Sequence, residues 1–319
     1  MTARAGEDLE LDLVVAHRRT VAQGVVELRL RDARGEPLPR WSPGAHVDLH
    51  LGDGSRRQYS LCGDPRERGT WRIAVLREDG GRGGSRWVHE HLAAGARLRA
   101  VGPRNRFVFE PAEEYLFVGG GIGITPLLPM IDAAHREQAR WQLVYGGRSR
   151  ATMAFAGELA DRYGDRVRLV PEDELGRLDV TSVLPEPDER TLVYCCGPAG
   201  LLTALTDHGR TRGWDGADLR VERFTAAAAS GPDRAFVVEL ARSGRRITVG
   251  AGESVLAAIR RAGVEVASSC EQGTCGTCTT RVRTGSVEHR DTVLDEQERA
   301  TSMTLCVSRA AEGALVLDL

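Results

Sequence analysis

Four cysteines near the C-terminus constrain this chain more than any other feature. Cys270, Cys275 and Cys278 fall within nine residues, and Cys306 stands alone further on. A C-x4-C-x2-C…C arrangement brings three thiolates around one small centre only if the loop bends tightly. Gly273 and Gly276 permit that bend, because glycine accepts backbone conformations that other residues resist. Thr274 and Thr277 keep the loop slim, so that its amides can donate to sulfur. This is the spacing of a [2Fe-2S] site of the plant type. Structural zinc favours two paired C-x2-4-C hooks instead; a zinc site or buried free thiols are the alternatives. The other cysteines, Cys62, Cys195 and Cys196, sit in apolar, strand-like contexts and are expected to pack. Seven cysteines leave one unpaired in any disulfide scheme, so no disulfide scaffold is expected.

At 319 residues the chain suits two or three domains with a core each. With 45 acidic and 43 basic residues its net charge is −2, which supplies no field for nucleic acid or an anionic membrane. No stretch approaches the roughly 18 to 20 apolar residues of a membrane span. The expectation is a cytoplasmic protein whose partners are recognised locally.

Residues 8 to about 110 read as short strands between turn signals (LELDLVVAHRRT, GVVELRLRD, HVDLHL, RRQYSLCG, WRIAVLRE), the pattern of a small antiparallel β-barrel. From Glu114 strands alternate with helices: EYLFVGGG, LLPMIDAAHREQA, WQLVYGG, TLVYCCGP and a helix near residues 199–212. That alternation predicts an α/β domain with a parallel sheet. TAAAASGPDR reads as a linker. FVVEL and RRITV then form a hairpin about Ser243–Gly244, and ESVLAAIRRAG an amphipathic helix ending at Gly263.

Gly119-Gly120-Gly121-Ile122-Gly123-Ile124-Thr125-Pro126 follows a buried strand and opens a helix. Such a turn aims backbone amides and a helix N-terminus at a pyrophosphate, and Pro126 fits the first helical turn. A ligand-free tight turn is the alternative. Cys196-Gly197-Pro198 joins a second strand to a helix. Arg148-Ser149-Arg150 follows the strand WQLVYGG. Two arginines there either grip a 2′-phosphate and select NADPH, or stay solvated beside the ribose of NADH.

In the barrel region, Arg57-Gln58-Tyr59-Ser60 closes a strand and Gly83-Gly84-Ser85 follows. An arginine forks onto a phosphate, tyrosine offers a flat face to a flavin, serine can donate to the flavin N5, and paired glycines let amides approach an anion. A half-exposed strand with a solvated arginine is the alternative.

Taken together, these motifs resemble the ferredoxin–NADP reductase superfamily, and with a C-terminal plant-type ferredoxin they resemble the phthalate dioxygenase reductase family over nearly the whole chain. The resemblance implies three domains: an FMN-binding antiparallel β-barrel at 1–110, an NAD(P)-binding α/β parallel-sheet domain at 111–226 and, after a linker at 227–233, a β-grasp [2Fe-2S] ferredoxin domain at 234–319. It implies that Arg57, Gln58, Tyr59 and Ser60 bind the flavin, with Ala74 and Val75 lining it and Gly83, Gly84 and Ser85 at its phosphate. Phe224 would cover the isoalloxazine; a core phenylalanine is the alternative. Gly120, Gly121, Gly123, Thr125 and Arg148 would hold the nucleotide. Cys196, Gly197 and Pro198 would lie at the nicotinamide, with Ser60 and Cys196 nearest the hydride transfer. Cys270, Cys275, Cys278 and Cys306 would hold the cluster.

The implied function is an NAD(P)H-dependent flavin and iron–sulfur oxidoreductase. It would take a hydride from NADH, in preference to NADPH, and pass single electrons to a partner oxygenase. A Rieske-type acceptor is favoured and a cytochrome P450 is the alternative. Because electron transfer needs no general acid or base, His46, His50, His89 and His91 are expected to be structural or at the surface. From other classes, a redox-sensing nucleotide and iron–sulfur binding protein lacks a visible output module, and a dehydrogenase with structural zinc would need the cysteines to bind zinc.

Overall fold

The computed structural model describes residues 9–52, 54–224 and 233–319. Nearly all of the expected linker lies outside the described residues. The chain divides into two compact units, Met1–Glu222 and Arg223–Leu319.

The first unit holds two sheets. One is antiparallel, built from β1 (Glu10–Ala22), β2 (Val25–Asp32), β3 (Ala45–His50), β4 (Arg56–Ser60), β5 (Trp71–Leu76) and β6 (Arg97–Asn105) in the order β4-β3-β6-β1-β2-β5. Its edges come together where Cys62 N, two residues past β4, donates to Arg72 O of β5 at 2.8 Å. The alternation read from LRLR is realised: Leu28 and Leu30 are buried and Arg29 between them is exposed. Helix α1 (Gly84–His91) follows β5.

The second sheet is parallel, with β7 (Glu114–Gly120), β8 (Arg140–Gly147), β9 (Val167–Pro171), β10 (Thr191–Cys196) and β11 (Leu219–Glu222) in the order β11-β10-β7-β8-β9. Helices α2 (Ile124–Arg136), α3 (Ala156–Tyr163), α4 (Glu172–Leu175) and α5 (Ala199–Arg212) connect the strands. The continuous apolar run Tyr115–Val118 is buried throughout, as a parallel strand covered on both faces requires. The chain steps from β7 to β8 on one side and returns to β10 on the other, so the strand order reverses between β7 and β10. Ligands of open α/β sheets bind at the carboxyl ends of the strands flanking such a reversal.

An ionic network joins the antiparallel sheet to helix α3. Glu27 of β2, fully buried, lies 2.8 Å from Arg19 and 2.9 Å from Arg72, and these arginines reach Glu158 of α3 at 2.7 and 3.6 Å. Burial pushes the Glu27 carboxyl up, but the Arg19 hydrogen bond and the neighbouring guanidinium charges outweigh it and hold the group below its ordinary value. Removing both Arg19 and Arg72 would strip the buried carboxylate of its close partners, Arg29 standing at 3.5 Å.

The second unit is a mixed sheet of β12 (Phe236–Leu240), β13 (Arg245–Val249), β14 (Thr279–Glu288), β15 (Ser302–Thr304) and β16 (Arg309–Leu317) in the order β13-β12-β16-β14-β15, with β12 and β16 parallel. Helix α6 (Val255–Arg261) buries Val255, Leu256, Ala258 and Ile259, and α7 (Glu296–Arg299) is a single turn. Ser254 caps α6 by accepting from Ala257 N at 3.1 Å, and Gly263 adopts φ +78° just past its end. This is the expected β-grasp arrangement.

Candidate functional site

The chain between α6 and β14 carries the three-cysteine loop, and Cys306 lies on the turn between β15 and β16. All four thiols are buried. Glu271, Gly273 and Gly276 adopt φ of 52°, 68° and 71°, the left-handed bends that the glycine positions anticipated. The sulfurs gather: the Cys270 thiol lies within hydrogen-bonding reach of Cys275 and Cys306, and that of Cys278 within reach of Cys306, with no disulfide among them. Those shared bonds hold Cys270 and Cys278 toward thiolate and push Cys275 and Cys306 up. Loop amides point at the same sulfurs. Gly273 N donates to Cys306 Sγ at 3.2 Å, Gln272 N to Cys270 Sγ at 3.3 Å and Thr277 N to Cys275 Sγ at 3.4 Å. Four soft donors ringed by N–H groups suit a centre that gathers negative charge on sulfur.

In the first unit, the turns after β7 and β10 meet backbone to backbone. A Cβ built on Gly123 would fall 2.3 Å from Cys196 O, and one on Gly120 would fall 2.6 Å from Pro198 Cδ. These glycines are therefore required by turn-to-turn packing, a reason the motif alone did not disclose. Gly121 adopts φ +54°, and Thr125 Oγ1 donates to Ile122 O at 2.9 Å, tightening the entry to α2. Gly197 is half-buried and Pro198 opens α5 at the surface.

Cys196 is buried with its neighbour Cys195, which joins the core as expected. Burial pushes the Cys196 thiol well up, and it hydrogen-bonds to the Glu222 carboxyl. Burial likewise lifts Glu222 from 4.5 to about 8, against the Cys196 bond, which lowers it. Its Oε2 is buried without a hydrogen-bond partner among the described residues. The sequence reading missed Glu222. The available signal was its place at the carboxyl end of a parallel strand, the edge where such sheets bind ligands.

Arg148 and Arg150 are both exposed. Arg150 Nε is held by Glu174 at 3.0 Å, and Asp173 N donates to Arg148 O at 3.1 Å, so the acidic residues of α4 stand beside the arginine loop.

The β4 strand places Arg57, Gln58 and Tyr59 half-buried and Ser60 buried. Burial raises the Tyr59 phenol. Arg57 donates to Arg56 O at 2.8 Å and Arg82 O at 3.4 Å, and a Cβ on Gly84 would fall 2.7 Å from Arg57 Cγ. Gly83, at φ +84°, turns the chain into α1. These three residues thus gather at one place, and the missing Cβ leaves room for the arginine. Ser85 Oγ accepts from Glu78 N at 3.0 Å, which fixes the turn. Ala74 and Val75 are buried in β5, and Val75 O accepts from His89 Nε2 at 2.9 Å. Gln58 Nε2 lies 3.0 Å from His46 Nε2. Phe224, just past β11, is 37% exposed, which excludes the fully buried core role.

Two family models match the chain: an oxidoreductase NAD-binding domain over residues 117–207 and a 2Fe-2S iron-sulfur cluster binding domain over 238–311. Phthalate dioxygenase reductase of Burkholderia cepacia is 37% identical over 319 residues, covering 98% of each chain. The chain belongs to the phthalate dioxygenase reductase family. A solved phthalate dioxygenase reductase, described as modular for electron transfer from pyridine nucleotides to [2Fe-2S], superposes with a TM-score of 0.76 at 37% identity over 97% of this chain and 98% of that one. The β subunit of a heme-dependent oxidative N-demethylase from Ectopseudomonas mendocina is 40% identical, covering 97% of this chain and 99% of the relative. An intact type IV self-sufficient cytochrome P450 monooxygenase gives a TM-score of 0.84 at 42% identity over 97% of this chain, which spans 41% of that longer protein.

As a member of the phthalate dioxygenase reductase family, this chain is an NAD(P)H-dependent oxidoreductase, the component that carries electrons through flavin and a [2Fe-2S] centre toward an oxygenase. No helix among the described residues is long and apolar enough to cross a membrane.

Proposed function

We propose that this chain oxidises NADH in the cytoplasm and delivers single electrons to a Rieske-type terminal oxygenase, using FMN held in the first unit and a cluster held by Cys270, Cys275, Cys278 and Cys306. The observation that carries this is the convergence of four buried sulfurs and their three N–H donors, in one chain with a glycine-built nucleotide turn. When bound, the flavin would take the two electrons of one hydride and the cluster would carry one electron at a time, which together would convert pairs into singles.

The chain's own residues do the rest. Arg57, beside Gly83 and Gly84, is placed to fork onto a phosphate. Tyr59 would offer its flat face and Ser60 its hydroxyl to the flavin. Phe224 is assigned as the aromatic that would cover the ring. The turns at Gly120–Gly123 and Cys196–Pro198 hold the nucleotide at the strand-order reversal. Glu222, kept protonated at neutral pH by burial, leaves the surroundings of the neutral Cys196 thiol uncharged.

FMN rather than FAD is supported by the short passage from α1 to β6, only residues 92–96, which adds no segment for an adenosine. NADH rather than NADPH is supported by Glu172, Asp173 and Glu174 on α4: Glu174 already holds Arg150, and a 2′-phosphate there would meet carboxylates. A cytoplasmic location is supported by the pyridine-nucleotide donor and by seven cysteines of which none forms a disulfide. A cytochrome P450 acceptor is a second reading, favoured by the match to the self-sufficient monooxygenase.

Steady-state kinetics with each nucleotide, followed by anaerobic mixing of the reduced protein with a Rieske oxygenase or a P450, tests these assignments. Preference for NADH and faster reduction of the Rieske centre are expected. NADPH preference, or transfer to heme alone, would overturn them.

A further inference from the structure

The two cluster-bearing segments of the second unit are far apart in sequence, and a third segment sits between them. Asp291, on the loop between β14 and α7, has a fully buried carboxylate. Its Oδ2 accepts from Leu294 N at 3.0 Å, and its Oδ1 accepts from Ser308 Oγ at 3.2 Å. Ser308 N in turn donates to Thr304 O at 3.1 Å, so this hydroxyl belongs to the turn that carries Cys306. Arg299 Nη2 donates to Asp291 O at 2.8 Å and stands 3.6 Å from Oδ2, and His289 Nδ1 lies 3.4 Å from Oδ1.

The opposite side of the same segment touches the three-cysteine loop. Thr292 N donates to Gly273 O at 2.9 Å. A Cβ on Gly273 would fall 2.9 Å from Asp291 Cα and 2.5 Å from Val307 Cγ2. Gly273 is therefore pressed between Asp291 and Val307, and in that position its N–H reaches Cys306 Sγ at 3.2 Å. Hydrogen bonds to cluster sulfurs tune the potential of such a centre.

We propose that Asp291 is a positioning residue for the cluster: its carboxylate ties the Cys306 turn to the Gly273 loop and so fixes the Gly273 N–H bond to Cys306 sulfur. The inference rests on assigning the cluster to the four cysteines. An asparagine keeps the size of Asp291 but turns one acceptor into a donor, which must then face Leu294 N–H or the Ser308 hydroxyl. One bond is lost, and with the segment released the Gly273–Cys306 contact changes.

The test is a redox titration and the EPR spectrum of the reduced cluster in the intact holoprotein, for wild type, Asp291→Asn, Ser308→Ala and, as a control elsewhere in the unit, Glu253→Gln. Asp291→Asn should shift both midpoint and EPR line shape. Ser308→Ala should shift them less, and Glu253→Gln should match wild type. Reduction of flavin by NADH should be unchanged in all of them. Native midpoint and line shape in both loop variants would overturn the proposal. So would a cluster-free Asp291→Asn paired with a Ser308→Ala of native spectrum. Absence of iron from the wild type would instead overturn the cluster assignment itself.

Discussion

The carbonyl oxygen of Cys196 occupies the place a side chain on Gly123 would need, 2.3 Å from its built Cβ. The obstacle is backbone, which cannot swing aside. Gly123→Ala should push the two turns apart and destabilise the first unit by about 1 to 3 kcal/mol, the range for overpacking. Thermal unfolding and the KM for NADH report this; unchanged values for both would show that the turns are free to separate.

The Cys196–Glu222 pair gives a pH signature. Glu222 ionises at about 8 in the folded chain and at 4.5 in its ordinary state. Between those values the folded state keeps a proton that the unfolded state has lost, so stability falls as pH rises and levels off above about 8. At about 1.36 kcal/mol for each pH step, the span from 4.5 to about 8 amounts to about 5 kcal/mol at most. Glu222→Gln should flatten the slope of denaturation free energy over that window. An identical slope in the variant would show that the carboxyl is not held protonated.

How much was legible in the sequence follows from how local each feature is. The cysteine loop could be read because its spacing and glycines sit within one short segment, and the structure gives Gly273 and Gly276 the expected positive φ. The strand-to-helix turn at Gly120–Gly123 was legible for the same reason. Its contact with Cys196 and Gly197 was not, since only the parallel pairing of β7 and β10 brings those segments together. Glu222 was not singled out because burial of its carboxyl is a tertiary effect. Asp291 was not singled out, since only the fold places it between the two cysteine-bearing segments.

Electron order separates the two units chemically. Cys275→Ser should abolish reduction of cytochrome c or of an oxygenase while stopped-flow reduction of the flavin by NADH survives. Loss of flavin reduction in a folded, flavin-loaded variant would show that electrons do not reach the flavin first.

Arg57 stands beside Gly83 and Gly84, and its guanidinium donates to two main-chain oxygens, Arg56 O and Arg82 O. Arg57→Ala should weaken flavin retention by about 1.5 to 3 kcal/mol, the worth of a charge-assisted hydrogen bond. Equilibrium dialysis or fluorescence titration of the apoprotein with FMN measures it, and an unchanged Kd would place the phosphate elsewhere.

The central claim is that one chain carries electrons from NADH through a flavin to a [2Fe-2S] cluster. Anaerobic titration of the purified protein with NADH, after iron, zinc and released flavin have been quantified, tests it most directly. The account predicts a brown-red protein with about one FMN and two irons per chain, sized to one such centre at each motif. Bleaching of flavin absorption should be followed by the EPR signal of a reduced [2Fe-2S] centre. A colourless protein without iron, or one whose cysteines hold zinc and whose spectrum ignores NADH, would contradict it.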